Sequence, residues 1–312
     1  REYIATVRQV QEAVENVQTV QEAMGVFEAL IIGGRYCERI SHGIGGGYIR
    51  DLEDLLSGGK VDVYETPGKT TGAYATDVYG VHPYMLLNFA GQLGDVFTLA
   101  HEAGHCLHTQ YSNTQPYVNK DYPIFLAEIA STVNENILMR GLISRCDSST
   151  EEGRREKAFL INRYLEEFRG TVFRQTMFAE FELETHRLAE AGEPLTAETL
   201  CGVYHRLLET YFGPDVAIDG YMDWEWARIP HFYRAFYVFK YATGFSAAAA
   251  ISRRILDGGD VAPYLDFLHA GGSDYPAETL KRAGVDMRTP APVEEALREF
   301  ADLVGEMEQL LA

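Results

Sequence analysis

Apolar side chains recur at helical spacing through REYIATVRQVQEAVENVQTVQEAMGVFEAL, which predicts helices over the first thirty residues. GIGGGY, Gly43 to Tyr48, interrupts that pattern and lacks the GxxxxGKS/T order of a phosphate loop, so it reads as a loop. The texture changes over 61–89. There VDVYETPGKTTGAYATDVYGVHPYMLLNF is rich in Val, Tyr and Thr and broken by Pro-Gly and Gly, which predicts two or three short strands joined by turns. After Asp95 helical periodicity returns and persists to Ala312, with TPAP (Thr289 to Pro292) marking the entry to a last helix, Val293 to Leu311. The expected fold is mainly α with one small antiparallel β-sheet placed just before a helix carrying LAHEAGHCLH. An N-terminal helical segment with its Gly-rich loop (1–60) precedes a single compact domain (61–312).

A chain of 312 residues suits one large domain or two lobes around a cleft. With 46% hydrophobic and 23% charged residues it has the make-up of a soluble globular protein. The formal net charge of −19, from 46 acidic against 27 basic residues, argues against nucleic acid or an anionic membrane as partner. Cys37, Cys106, Cys146 and Cys201 form no CxxC pair, so neither a disulfide framework nor a zinc ribbon is expected, and a cytoplasmic location follows. SAAAAI, from Ser246, is far too short to span a membrane.

Chemistry concentrates in LAHEAGHCLH, Leu99 to His108. Residues four apart lie one turn above each other on a helix face, so His101 and His105 can aim two imidazoles at one ion. Glu102, about 100° around the axis from His101, can reach a water on that ion without ligating it. Zinc hydrolysis needs neutral nitrogen ligands, an open position for water and a carboxylate to take its proton. The helix interior also holds Gly104, which costs about 1 kcal/mol relative to Ala and points to close packing there. His108 is the nearest third ligand in sequence but lies ~10.5 Å along the axis from His101, and Cys106 points away, so both read as structural. PIFLAEIASTVNENI supplies the better candidate. Pro123 opens a helix on which Glu128 and Glu135, seven apart, share a face flanked by the small residues Ala127, Ala130 and Ser131. Acidic groups among Phe125, Leu126, Ile129 and Val133 are costly to bury without a partner or metal. Glu128 is therefore the expected third ligand, and Glu135 the partner that holds a ligand histidine.

WEWARIPHFYRAFYVFKYATGFSAA, Trp224 to Ala248, is the second informative stretch. Pro230 sets a helix start with His231 in its first turn. Tyr233, Tyr237 and Tyr241 then recur every four residues as a phenol stripe on one face. Such a stripe serves core packing, or, in peptide hydrolysis, donates to the oxyanion of the tetrahedral intermediate together with the imidazole. Tyr233 and Gly244 are candidate substrate contacts, Gly244 through close approach of substrate backbone or of another helix.

HEAGHCLH, FLAEIASTVNE and RIPHFYRAFYVFKYATG, in that order, resemble the oligoendopeptidase F branch of the thimet oligopeptidase family of zinc metallopeptidases. GKTTGAY, FRQTMFAEFE and LKRAGVDM resemble it too, so the similarity runs from about Val61 to the end. The resemblance implies a zincin-like, gluzincin-type catalytic domain and a channel that admits short unfolded peptides. It implies one Zn2+ per chain on His101, His105 and Glu128, with Glu102 as general base. Transition-state stabilisation carries over onto His231 and a tyrosine, Tyr241 or Tyr237. The strand around Met85 to Phe89 is similar to the edge strand that pairs with substrate backbone. Members of that branch are nearly twice this long, so an N-terminal helical half forming the opposite channel wall is expected to be absent. The reading is a zinc-dependent oligopeptidase; its rival is a zinc-holding module that captures peptides without cutting them. A purely helical scaffold around a structural metal would need a fourth protein ligand. Self-association into a homo-oligomer is compatible with the sequence.

Overall fold

The computed structural model describes residues 47–311. The helices expected over the first thirty residues, residues 43–46 and Cys37 lie outside this range. The described chain falls into two compact units, one made of 47–165 and 246–311 and the other of 166–245.

In the first unit, helix α1 (Gly47–Ser57) begins inside the segment read as a loop. Its apolar residues Tyr48, Ile49, Leu52, Leu55 and Leu56 are buried, and Tyr48 donates to the buried Asn134 side chain at 2.7 Å. Three short strands follow: β1 (Val61–Asp62), β2 (Tyr74–Thr76) and β3 (Tyr84–Leu86). The strand count agrees with the sequence; the orientation does not. The sheet is mixed, in the order β1-β3-β2, with β1 parallel to β3 and β2 antiparallel to it. Side-chain alternation reports which faces are buried and carries no record of strand direction. β3 is the central strand, paired on both sides, so the expectation that Met85 to Phe89 forms an edge is corrected. β1 and β2 are the two edges of the sheet, and neither has a strand partner on its outer side among the described residues.

Helix α2 (Leu93–Ser112) starts where the Asp95 carboxylate accepts the amides of Ala90 and Gln92, each at 2.9 Å. Helix α3 (Ile124–Arg145) opens after Pro123 and packs on α2. Leu99, Ala100, Ala103, Leu107, Ile129, Ala130 and Val133 are fully buried. Gly104 explains how near the helices come: a Cβ there would lie 2.6 Å from Ser131 Cα and 2.8 Å from the Ala130 carbonyl oxygen. The close packing read from the helix-interior glycine is thus present, and its partner is the small-residue stretch of α3. Helix α4 (Glu151–Phe168) brings Tyr164 to Glu299 at 2.9 Å, where Arg140 also pairs with that carboxylate.

The second unit continues through a π-helical segment (Arg169–Phe173), α5 (Arg174–Glu190) and α6 (Ala197–Phe212). Two 3-10 segments, Met222–Arg228 and Pro230–Tyr233, precede α7 (Phe239–Leu256). Here the phenol stripe is corrected. The helix begun at Pro230 ends at Tyr233, and Phe236 takes a left-handed φ of 54°, so Tyr233, Tyr237 and Tyr241 share no helix face. The first unit closes with α8 (Ala262–His269), α9 (Pro276–Arg282) and α10 (Ala291–Leu311), the last entered through TPAP as expected. Cys106, Cys146 and Cys201 are free thiols. No described helix is long and apolar enough to cross a membrane.

Candidate metal centre

Helical spacing places His101 and His105 on one face of α2, with Nε2 atoms 3.1 Å apart. Glu128, from the first turns of α3, brings Oε2 to 3.4 Å from His101 Nε2 and 3.6 Å from His105 Nε2. Two imidazole nitrogens and a carboxylate oxygen suit zinc, whose ligand bonds of ~2.0–2.1 Å in a tetrahedron set donor separations of about 3.3 Å. The three separations bracket that value, so the donor set fits the ion. His101, His105 and Glu128 form the one His/Cys/Asp/Glu group of metal-holding geometry found among the described residues.

The surrounding groups fix these donors. Glu135 Oε2 lies 3.3 Å from His101 Nδ1, on the ring nitrogen turned away from the cluster. The buried Ser131 hydroxyl donates to the Glu128 carbonyl at 3.0 Å and lies 3.4 Å from its carboxylate. The buried Asn134 amide donates to the Ala100 carbonyl at 3.2 Å, tying α3 to α2 beside His101. Asn134 is a contact that sequence spacing does not predict, although a polar residue on the apolar face of α3 is a signal for it, and Ser131, expected only as a small residue of close approach, also hydrogen-bonds Glu128. His108 is buried, stacked on Tyr122 with ring centroids 3.7 Å apart, and burial holds it neutral with its pKa down to about 3. Cys106 turns its thiol to the Tyr84 carbonyl at 3.8 Å. Both are structural, as read.

Glu102 is 7% exposed, and its Oε2 is buried with no hydrogen-bond partner in the protein. Burial raises its pKa above the ordinary value; the His105 and His101 rings and the Ala75 amide pull the other way without cancelling that rise. Ala75 is the middle residue of β2, so one of the two edges of the sheet runs beside this carboxylate.

Burial disfavours a charged His101, yet hydrogen bonds to Glu128 and Glu135 outweigh it and lift its pKa to about 10. Burial likewise opposes ionisation of Glu128, but the His101 and His105 rings hold its pKa well below the carboxylate range. In metal-free protein these contacts favour the protonated His101 ring, whose two nitrogens lie 3.4 Å from Glu128 Oε2 and 3.3 Å from Glu135 Oε2. A metal held through His101 Nε2 would displace a proton from that nitrogen and leave Nδ1 facing Glu135. Loading at pH 7–8 is expected to release about one proton per ion, with affinity rising about tenfold per pH unit until the pH nears that pKa. Titration calorimetry in buffers of different ionisation enthalpy measures the release; a net of zero would contradict the charged ring.

In the second unit, His231, Tyr237 and Tyr241 come together although the helix between them is broken. The Tyr241 hydroxyl lies 3.3 Å from His231 Nε2. The Tyr237 ring stacks on His231 at 5.5 Å and meets Tyr241 edge-on at 5.8 Å. Tyr233 is 87% exposed and outside this cluster, and Gly244 is buried within α7.

An HExxH helix, a carboxylate from the next helix and a buried glutamate beside the pair are the donor arrangement of a metallopeptidase. The chain belongs to peptidase family M3, whose model matches residues 49–299. The match begins within α1, ahead of residue 61. The oligopeptidase PepF of Bacillus subtilis is 48% identical over 271 residues, covering 86% of this chain and 40% of that protein. The chromosomal oligoendopeptidase F of Lactococcus lactis is 42% identical over 300 residues, covering 95% and 46%. A crystal structure of oligoendopeptidase F from Enterococcus faecium matches with TM-score 0.62 at 46% identity, covering 70% of this chain and 39% of that one. A solved Chlamydophila abortus structure matches with TM-score 0.83 at 37% identity, covering 99% and 53%. The chain spans less than half the length of these two curated relatives.

Proposed function

We propose that the chain is the catalytic part of a zinc-dependent endopeptidase that hydrolyses short unfolded peptides, with the zincin-like helix pair as its core. The observation that carries this reading is the spacing of three donors beside a buried, partnerless glutamate oxygen. His101, His105 and Glu128 would hold the zinc, and Glu135 would keep His101 in its ligating orientation. When bound, zinc supplies Lewis acidity that polarises the scissile carbonyl and makes the attacking water a stronger acid.

Glu102 takes a proton from the attacking water and passes it to the departing amine, so that one carboxylate serves both steps. Its raised pKa brings proton uptake and release closer to neutral pH. His231 and Tyr241 donate to the oxyanion, with Tyr237 stacked on the imidazole; support comes from their clustering and from the family pattern. A substrate adding to the free side of β2 as a further strand would bring its backbone past Glu102. That arrangement replaces β3 with β2 as the strand that aligns the peptide.

Cleavage of an internally quenched peptide of about ten residues by the zinc-loaded chain, abolished by a chelator and restored by zinc, is the expected result. Peptide binding without cleavage by fully loaded protein would instead identify a capture module, and absence of bound zinc would remove the reading altogether.

A further inference from the structure

Phe236 is the one non-glycine residue with positive φ among the described residues, at 54°. A bulky side chain held in this region costs on the order of 1–3 kcal/mol and persists only where the surroundings impose it. Glycine would adopt the same φ freely.

Two side chains of α5 impose it. Glu182, 4% exposed, accepts the Phe236 amide through Oε1 at 2.7 Å. His186, one turn further along α5, sets its ring 4.6 Å from the Phe236 ring and is itself oriented by the Glu182 carbonyl, 2.7 Å from Nδ1. Backbone and ring of residue 236 are thus gripped from the same helix. The helix is anchored close by: Phe181, next to Glu182, packs on Phe232 with centroids 5.2 Å apart. A buried carboxylate is a costly acceptor for a single amide, since burial penalises its charge. Its position in the chain's geometry accounts for it. The turn it fixes lies between His231 and Tyr241, and Tyr237 follows Phe236 directly. If φ at 236 relaxed to negative values, the peptide leading into Tyr237 would rotate, and the contacts of Tyr237 with His231 and Tyr241 would be lost.

We propose that Glu182 is a positioning residue: by holding the left-handed turn at Phe236 it sets the mutual geometry of His231, Tyr237 and Tyr241. Its kinetic consequence rests on the reading above that His231 and Tyr241 stabilise the oxyanion; its geometric consequence does not.

The test compares Glu182→Ala, Glu182→Gln and the double variant Glu182→Ala/Phe236→Gly. It uses kcat and KM on the quenched peptide and the His231 ring-nitrogen resonances in a long-range 1H–15N spectrum. Misplaced catalytic groups typically cost up to about 10²-fold. Glu182→Ala is expected to lower kcat about 10- to 100-fold with KM little changed, and to shift the His231 Nε2 signal. Glu182→Gln keeps an acceptor oxygen and should stay near wild type in both. Phe236→Gly should restore most of the loss in the Ala background, because glycine holds the turn without the carboxylate. If Glu182→Ala alone does not fold, the double variant decides: a wild-type His231 signal supports the proposal, and a displaced one in folded protein overturns it. A folded Glu182→Ala with unchanged His231 resonances also overturns it, whether or not the protein cleaves peptide. Failure of the oxyanion reading shows separately, as a His231→Ala variant that cleaves at the wild-type rate.

Discussion

Glu102→Gln is expected to lower kcat by about 10³- to 10⁴-fold while zinc stays at one ion per chain. General-base catalysis contributes ~10²–10⁴, and the upper range applies because, in the proposed mechanism, the same carboxylate would also return the proton to the amine. The substitution is close to isosteric, so packing around a group only 7% exposed is retained. What changes is basicity: an amide oxygen accepts a hydrogen bond but takes no proton near neutral pH. The donors at 3.1, 3.4 and 3.6 Å from one another do not include Glu102, so metal content, read by elemental analysis, should not move. A Gln variant that turns over peptide at the wild-type rate would remove Glu102 from the reaction. One that loses zinc as well would place it in the metal's support instead.

Gly104→Ala is the second large effect, and here propensity and packing oppose each other. Alanine in a helix interior gains about 1 kcal/mol over glycine. The added Cβ, however, would meet Ser131 Cα at 2.6 Å and Ala130 O at 2.8 Å, both backbone atoms that cannot swing aside. Overpacking of this kind costs ~1–3 kcal/mol or more, so the net change is destabilising. Relief requires α2 and α3 to separate just where Ser131 supports Glu128. Metal sites tolerate distance errors of only ~0.2 Å. The melting temperature is expected to fall by several degrees and zinc affinity at least tenfold. Calorimetry and a competitive chelator titration measure the two, and unchanged values for both would refute the contact.

The three clustered donors are legible in the sequence because each depends on a short-range rule. His101 and His105 follow from helical periodicity, and Gly104 from the cost of glycine in a helix. Glu128 and Glu135 follow from acidic residues stranded on an apolar face. Features set by long-range pairing were not legible. Residue content in 61–89 points to strands but not to their order, and the edge role that the family resemblance implies for Met85 to Phe89 falls on the central strand. Periodicity in 230–241 predicts one helix, whereas the chain breaks at Phe236, which takes a left-handed φ and donates its amide to Glu182, about fifty residues earlier in the chain. Nothing within that segment signals the break. The start of α1 was hidden in the same way, since Gly47 and Tyr48 read as loop until Tyr48 is seen to reach Asn134.

The short length of β2 has a consequence of its own. A strand of three residues can offer an arriving chain only a couple of ladder bonds, and these engage peptide groups that every sequence shares. Grip of that sort is weak and nearly indifferent to side-chain identity. It sorts partners by whether their own peptide groups are still available, which a segment already committed to a helix or sheet cannot satisfy.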